Sequence, residues 1–196
     1  MIVNEGVRKF LENVASSSPT PGGGSVAAMA GAIASSLGEM VCNLTIGKKK
    51  YADVEEEMKE MAEKCRESRE KFLKLVEEDA LSFNRVMDAF RKKKGIEDAL
   101  KMAAETPLKT AGECISLLRI LVDIAEKGNK NSISDAGVAA LMAQAAFHSA
   151  IMNVRINIKD MEDMDYRGKM ESKMAEMREE MESIFDEVME RVEKWL

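Results

Sequence analysis

Between residues 16 and 36 the chain reads "SSSPTPGGGSVAAMAGAIASS", and any fold it adopts must accommodate that stretch. Two prolines and three consecutive glycines lead into a run whose only large side chains are Met29 and Ile33. Glycine is costly inside a helix, so three together ahead of one imply a backbone that must come close to something. The Gly/Ala/Ser run then lets a helix lie almost backbone to backbone against its neighbours. Ala27, Gly31 and Ser35 recur every four residues and give it one narrow packing face. Ser25 is placed to cap this helix, which runs to about Gly47. On these residues alone, the partner in the close approach is either a ligand or another helix.

The rest of the chain points to helices as well. Among 196 residues there are only 3 prolines and 5% aromatics, against 16 methionines and abundant Ala, Glu and Lys, a helix-forming mixture. The length suits one domain over residues 1–196. A net charge of −6 argues against nucleic acid as a partner, while local basic clusters leave room for a small anionic one. Cys42, Cys65 and Cys114 are odd in number and widely spaced, which excludes a disulfide framework and a zinc site built on CxxC pairs. Together with a start, "MIVNEGVRKF", that lacks an apolar signal core, they point to a reducing, cytoplasmic setting. The run from Val26 to Ile46 approaches membrane-spanning length, but Glu39 and Asn43 interrupt it, so it reads as a buried helix and no membrane is expected.

Asn4 caps a first helix carrying Val7, Phe10, Leu11 and Val14 on one face. Asp53 caps a long third helix ending near Gly95, and Ile96 to about Gly128 forms a fourth, with Pro107 as a kink or a fresh start. In "GNKNSISDAG", Ser132 and Asp135 have the spacing of a capping box. The fifth helix, to about Ile158, is apolar nearly all round at first and should be central. In the last helix Met170, Met174, Met177, Met181, Ile184 and Val188 form a seam for a neighbouring helix or a second subunit. The expected fold is therefore all-α: a single-domain bundle of about six helices around a small-residue central one.

One carboxylate stands apart. Asp79 falls in the middle of the apolar stripe Leu75, Val76, Phe83, Val86, Met87 and Phe90, whereas Glu77 and Glu78 fall beside it. A carboxylate there must be satisfied by a neighbouring hydroxyl or Arg, or be employed as an acid/base whose pKa burial tunes; both readings stay open. His148, the only histidine, lies in an apolar helix without the Glu-x-x-His pattern of di-iron bundles and reads as structural. No metal site is expected. The glycine block lacks the Lys-Ser/Thr ending of a phosphate-binding loop, though its N–H groups can meet an anion or carbonyl. Lys48, Lys49 and Lys50 are placed either to complement a helix C-terminus or to meet an anion. Asn129, Asn131, Ser134 and Asp135 are more polar residues than one cap requires.

Taken together, "PTPGGGSVAAMAGAIASSLGEMVCNLTIGKKKY", "VEEDALSFNRVM", "TPLKTAGEC", "GNKNSISDAGVAA" and "NVRINIKD" resemble, in order, the blocks of the formiminotetrahydrofolate cyclodeaminase family, which includes methenyltetrahydrofolate cyclohydrolases. The resemblance covers about residues 5 to 160 and fades in the helical tail. It implies an all-helical, dimeric enzyme of folate one-carbon chemistry that needs no cofactor beyond its tetrahydrofolate substrate. By position it implies Asp79 as the catalytic aspartate and Gly22, Gly23, Gly24 and Ser25 as a substrate-binding glycine block, so that backbone approaches substrate with the small-residue helix packed beneath it. It likewise implies substrate-binding roles for Lys48 to Lys50 and for Asn129, Ser134 and Asp135. In bifunctional members this domain follows a formiminotransferase domain, which has no counterpart here. The favoured reaction closes 5-formiminotetrahydrofolate to 5,10-methenyltetrahydrofolate with loss of ammonia. A cyclohydrolase on the same scaffold, and a non-enzymatic helical dimer, remain alternatives.

Overall fold

A computed structural model describes residues 2–159 and 161–196, and the side chains of all of these except residues 2 and 3. Asp160, the last residue of the "NVRINIKD" block, lies outside the described residues. Six α-helices follow in order: α1 (Val7–Val14), α2 (Gly23–Thr45), α3 (Glu55–Lys92), α4 (Ile96–Lys127), α5 (Ile133–Ile158) and α6 (Met164–Glu193). No strand occurs among the described residues. Helix α2 runs antiparallel to both α3 and α5, and α6 runs alongside α4. One apolar core passes through all six helices, from Phe10 in α1 to Val192 in α6.

The small face of α2 has the use its sequence implies. Ala27, Gly31 and Ser35 are buried, and Gly31 rides directly on a phenyl ring. A Cβ there would come within 2.4 Å of Phe72, so only glycine lets α3 approach this closely. Further along, the buried Glu39 is gripped from α3 by both Arg66 and Arg69. Burial raises the Glu39 pKa, but the two guanidinium groups outweigh it and hold the carboxyl below its ordinary value,.

Helix α3 is longer than its partner. At 1.5 Å per residue, residues 80–92 carry it about 20 Å past the start of α2. There it pairs with the first turns of α4 around a small second cluster of Val86, Ala89, Ala99 and Ala103. The tip is turned by Lys93 and Gly95, both at positive φ (50° and 67°). Phe83 is only half buried, and Met87 and Phe90 are 52% and 51% exposed. The stripe around Asp79 is thus covered at Leu75 and Val76 by α2 and at Val86 by α4, while Phe83, Met87 and Phe90 stay partly or largely open.

Several local expectations are corrected. A 3-10 segment, Ile2–Glu5, precedes α1, and Gly6 at φ 84° occupies the N-cap in place of Asn4. Of the predicted apolar face of α1, Phe10 is buried while Val7 and Leu11 face solvent. Asp53 lies within a 3-10 segment (Lys49–Val54), so α3 starts two residues later. Helix α4 runs through Pro107 without ending. Ser132 makes no side-chain cap bond; its hydroxyl donates to the Asn129 carbonyl instead, so no capping box forms. The seam of α6 packs within the chain, with Met170, Met174, Met181 and Val188 buried and Met177 and Ile184 partly so. Helix α5 is not wholly enclosed: Val138, Leu141, Met152 and Ile156 are exposed along one side. So are Val26, Ile33, Met40 and Leu44 on the adjoining α2. By length and composition both helices could cross a membrane, and only about half of each apolar window is buried (56% and 50%).

Candidate active site

The first turn of α2 ends against the side of α3. Gly22 is its N-cap and contributes no capping side chain, and the helix begins at Gly23, two residues before the expected Ser25. A capping group is supplied from elsewhere in the chain. The Asp79 carboxylate sits beside the Ser25 backbone N–H and, at Oδ2, accepts the Ser25 hydroxyl at 2.8 Å. Helix starts leave unsatisfied N–H groups and partial positive charge, so an acidic group is stabilised there.

This accounts for the glycine block. A Cβ on Gly24 would stand 2.0 Å from Asp79 Oδ1 and 2.6 Å from its carboxyl carbon, so alanine there would have to push the carboxylate from its present place. On Gly23 a Cβ would lie 3.3 Å from the Asn153 amide nitrogen in α5, a tight but negotiable contact. The three elements α2, α3 and α5 therefore meet with Asp79 and Asn153 beside adjacent glycines. The close approach implied by "PGGGS" is first of all to a side chain of this protein. Asp79 is partly buried. Burial pushes its pKa up, against the lowering effect of the Ser25 hydroxyl and then the Ser25 backbone N–H, and the net direction is upward. A carboxyl so placed takes up a proton more readily than an ordinary aspartate.

The other predicted residues gather elsewhere. The 23 residues of α2 span about 34 Å, and Lys48, Lys49 and Lys50 lie beyond its far end, all exposed. The Lys50 ammonium sits 5.4 Å from the centre of the Tyr51 ring, and the Tyr51 hydroxyl accepts the Lys130 backbone N–H at 3.0 Å. Asn129 belongs to this end, but its polar groups serve the fold. Its backbone N–H donates to Thr45 Oγ1, its Nδ2 to the Leu44 carbonyl, and its Oδ1 accepts the Asn131 N–H. Ser134 is exposed and Asp135 half buried on the first turn of α5. Within one chain, then, the glycine block and Asp79 form one cluster and the lysines with the Asn129–Asp135 block form another, at opposite ends of α2.

Residue type and spacing do not single out Asn153. The one signal the sequence holds is a pair of asparagines, Asn153 and Asn157, spaced four apart in an apolar helix. His148 meets Phe147 edge to face with ring centres 5.6 Å apart. Among the described residues no three His, Cys, Asp or Glu side chains cluster as metal ligands. The three cysteines are buried, and burial pushes the Cys42 and Cys65 thiols up to about 12, so they are unreactive. A cleft of about 560 Å³ lies between α5 and α6 and includes Ile151, Arg155, Arg167 and Arg178. Ile151 is about 200° around α5 from Asn153, so this cleft opens away from Asp79.

A family model described as formiminotransferase-cyclodeaminase matches residues 6–192. A methenyltetrahydrofolate cyclohydrolase of Methylorubrum extorquens is 39% identical, over 98% of this chain and 100% of its own. A formimidoyltransferase-cyclodeaminase of Rattus norvegicus is 28% identical over 91% of this chain but only 35% of its own length. The crystal structure of a formiminotetrahydrofolate cyclodeaminase from Thermotoga maritima superposes with a TM-score of 0.92 at 37% identity, covering 96% of both chains.

Proposed function

Since the chain belongs to the formiminotransferase-cyclodeaminase family, we propose that it closes 5-formiminotetrahydrofolate to 5,10-methenyltetrahydrofolate with release of ammonia, using Asp79 as the proton carrier. The observation that carries this reading is the Asp79 carboxylate, held by Ser25 against the start of α2 with its pKa raised by burial. N10 of the folate attacks the protonated amidine carbon on N5, forming a tetrahedral carbon. The N10 proton passes to the carboxylate and from it to the exocyclic nitrogen. That carbon–nitrogen bond breaks, ammonia leaves, and the methenyl bridge keeps the positive charge beside the carboxylate. These bond changes need no metal or nicotinamide.

The full-length match to a cyclohydrolase favours a second reading on the same residues. Water adds to the methenyl carbon while Asp79 takes its proton; the carboxyl returns that proton to N5 as the N5–carbon bond opens, and the hydroxyl proton goes to solvent as the formyl group forms on N10. Purified protein given 5-formiminotetrahydrofolate releases ammonia as the methenyl chromophore rises on the first reading. On the second it bleaches added methenyltetrahydrofolate and releases no ammonia.

The working unit in this proposal is a homodimer. Lys48 to Lys50 are too far from Asp79 in one chain to hold the glutamate end of a folate reacting there. A second copy lying antiparallel over the exposed apolar faces of α2 and α5 brings each lysine cluster to the other chain's Asp79. Ser134 and Asp135, on the same end, join the substrate site in that arrangement.

A further inference from the structure

Asparagine is a poor residue for a helix interior, because its amide competes with the backbone for hydrogen bonds. Helix α5 carries two four residues apart, Asn153 and Asn157, on one face of its last turns. Asn157 serves the packing of the bundle. Its Nδ2 donates to the Ala103 carbonyl of α4 at 3.0 Å and to the Asn153 carbonyl at 2.9 Å. Asn153 makes no such link between helices. Its Nδ2 donates to the Ser149 carbonyl at 2.9 Å, within its own helix, and its Oδ1 accepts no hydrogen bond from the described residues. That half-buried carboxamide lies against Gly23, as Asp79 lies against Gly24. Its orientation is thus set by Ser149 on one side and by a bare glycine on the other, with an acceptor oxygen left over.

We infer that Asn153 is a substrate-orienting residue whose Oδ1 accepts a hydrogen bond from the 2-amino edge of the reduced pteridine ring. The inference rests on the folate reading and extends it to the end of the substrate away from the reacting nitrogens. A reduced pteridine presents N–H donors along its pyrimidine edge, and a buried donor needs an acceptor that keeps its position. Beyond Asp79 the open stripe of Phe83, Met87 and Phe90 offers the ring an apolar wall, since α2 has ended there. Asp79 then serves N5 and N10 while Asn153 fixes the opposite edge.

The test is calorimetric binding of tetrahydrofolate and of its 2-desamino-2-methyl analogue to wild type, Asn153→Ala and Asn153→Asp, with KM and kcat measured alongside. Asn153→Ala should weaken tetrahydrofolate binding about tenfold and raise KM in step, with kcat within about threefold of wild type. Asn153→Asp loses the donor to Ser149 and gains a negative charge but keeps an acceptor oxygen, which the charge makes stronger toward an N–H donor, so it should retain most of the affinity. Wild type should bind the analogue about tenfold more weakly than tetrahydrofolate, and Asn153→Ala should not distinguish the two. Equal binding of both ligands by wild type overturns the proposal, even if neither variant folds. So does an Asn153→Asp variant as weak as Asn153→Ala, which would make the Ser149 bond the relevant one. Failure of wild type to bind either ligand overturns the folate reading itself.

Discussion

At the scale of single residues, Asp79 and Gly24 act as one unit. Asp79→Asn keeps the shape and an acceptor for Ser25 but cannot carry a proton, so turnover should fall about a hundredfold or more. The raised pKa means the folded chain holds the Asp79 proton more tightly than the unfolded chain does. Stability contributed by the protonated form is therefore lost as pH rises from the ordinary aspartate value through the folded one. At neutral pH the asparagine variant should have a denaturation midpoint no lower than wild type, and its stability profile should lack that acid-range decline. Gly24→Ala places a Cβ where Oδ1 now lies, so its activity should fall as far as that of Asp79→Asn, with about 1–3 kcal/mol lost in urea titration. Gly23→Ala meets only the movable Asn153 amide and should be the milder change. Normal activity in a folded Gly24→Ala protein would separate Asp79 from the chemistry.

At the scale of the helix, the small face of α2 sets the spacing on which the site depends. Gly31 lies two turns from Gly24, against Phe72, and has no contact with the carboxylate. Gly31→Leu should therefore overpack the α2–α3 contact and lower stability by about 1–3 kcal/mol or more, measured as a lower denaturation midpoint. The molecules that remain folded at low temperature should keep most of their activity per mole. The helices themselves are legible in the sequence because their periodicity is local: α2, α4 and α6 run close to where their apolar spacing puts them. Their N-caps are less so. Asn4, Ser25, Asp53 and Ser132 all have the residue type of a cap, yet Gly6, Gly22 and Val54 occupy the first three N-cap positions, and Ser132 sits at the fourth without using its side chain. A capping residue is recognised by its type, but a carboxylate 54 positions away can be held against the same helix start, as Asp79 is by the Ser25 hydroxyl.

At the scale of the whole molecule, the two clusters at opposite ends of α2 make a sharp expectation. If each site takes Asp79 from one chain and lysines from the other, co-expressed Asp79→Asn and Lys48→Ala/Lys50→Ala chains should form mixed dimers with one intact site. Random pairing then restores about a quarter of wild-type activity to a mixture of two inactive parents. A site contained in one chain gives no recovery. Sedimentation should show a dimer that Met152→Glu or Ile33→Glu dissociates, since both side chains lie on the exposed face of α2 and α5. Added salt should weaken binding most for folates with longer glutamate tails, through screening of the exposed lysines.

The sequence by itself determined the helical class, the close packing of α2 and the oddity of Asp79, because each depends on residue type and short-range spacing. A carboxylate in an apolar stripe is visible wherever the helix goes. Only the tertiary structure decided what the carboxylate faces: it could have met an arginine, and it meets the bare first turn of α2. The same holds for Asn153, whose amide has no distinction in α5 until α2 brings Gly23 against it. Tertiary packing also separated the lysines from Asp79. A helix of 23 residues spans about 34 Å, so once α3 docks with Asp79 against its first turn, the lysines beyond its last turn are held away from the carboxylate.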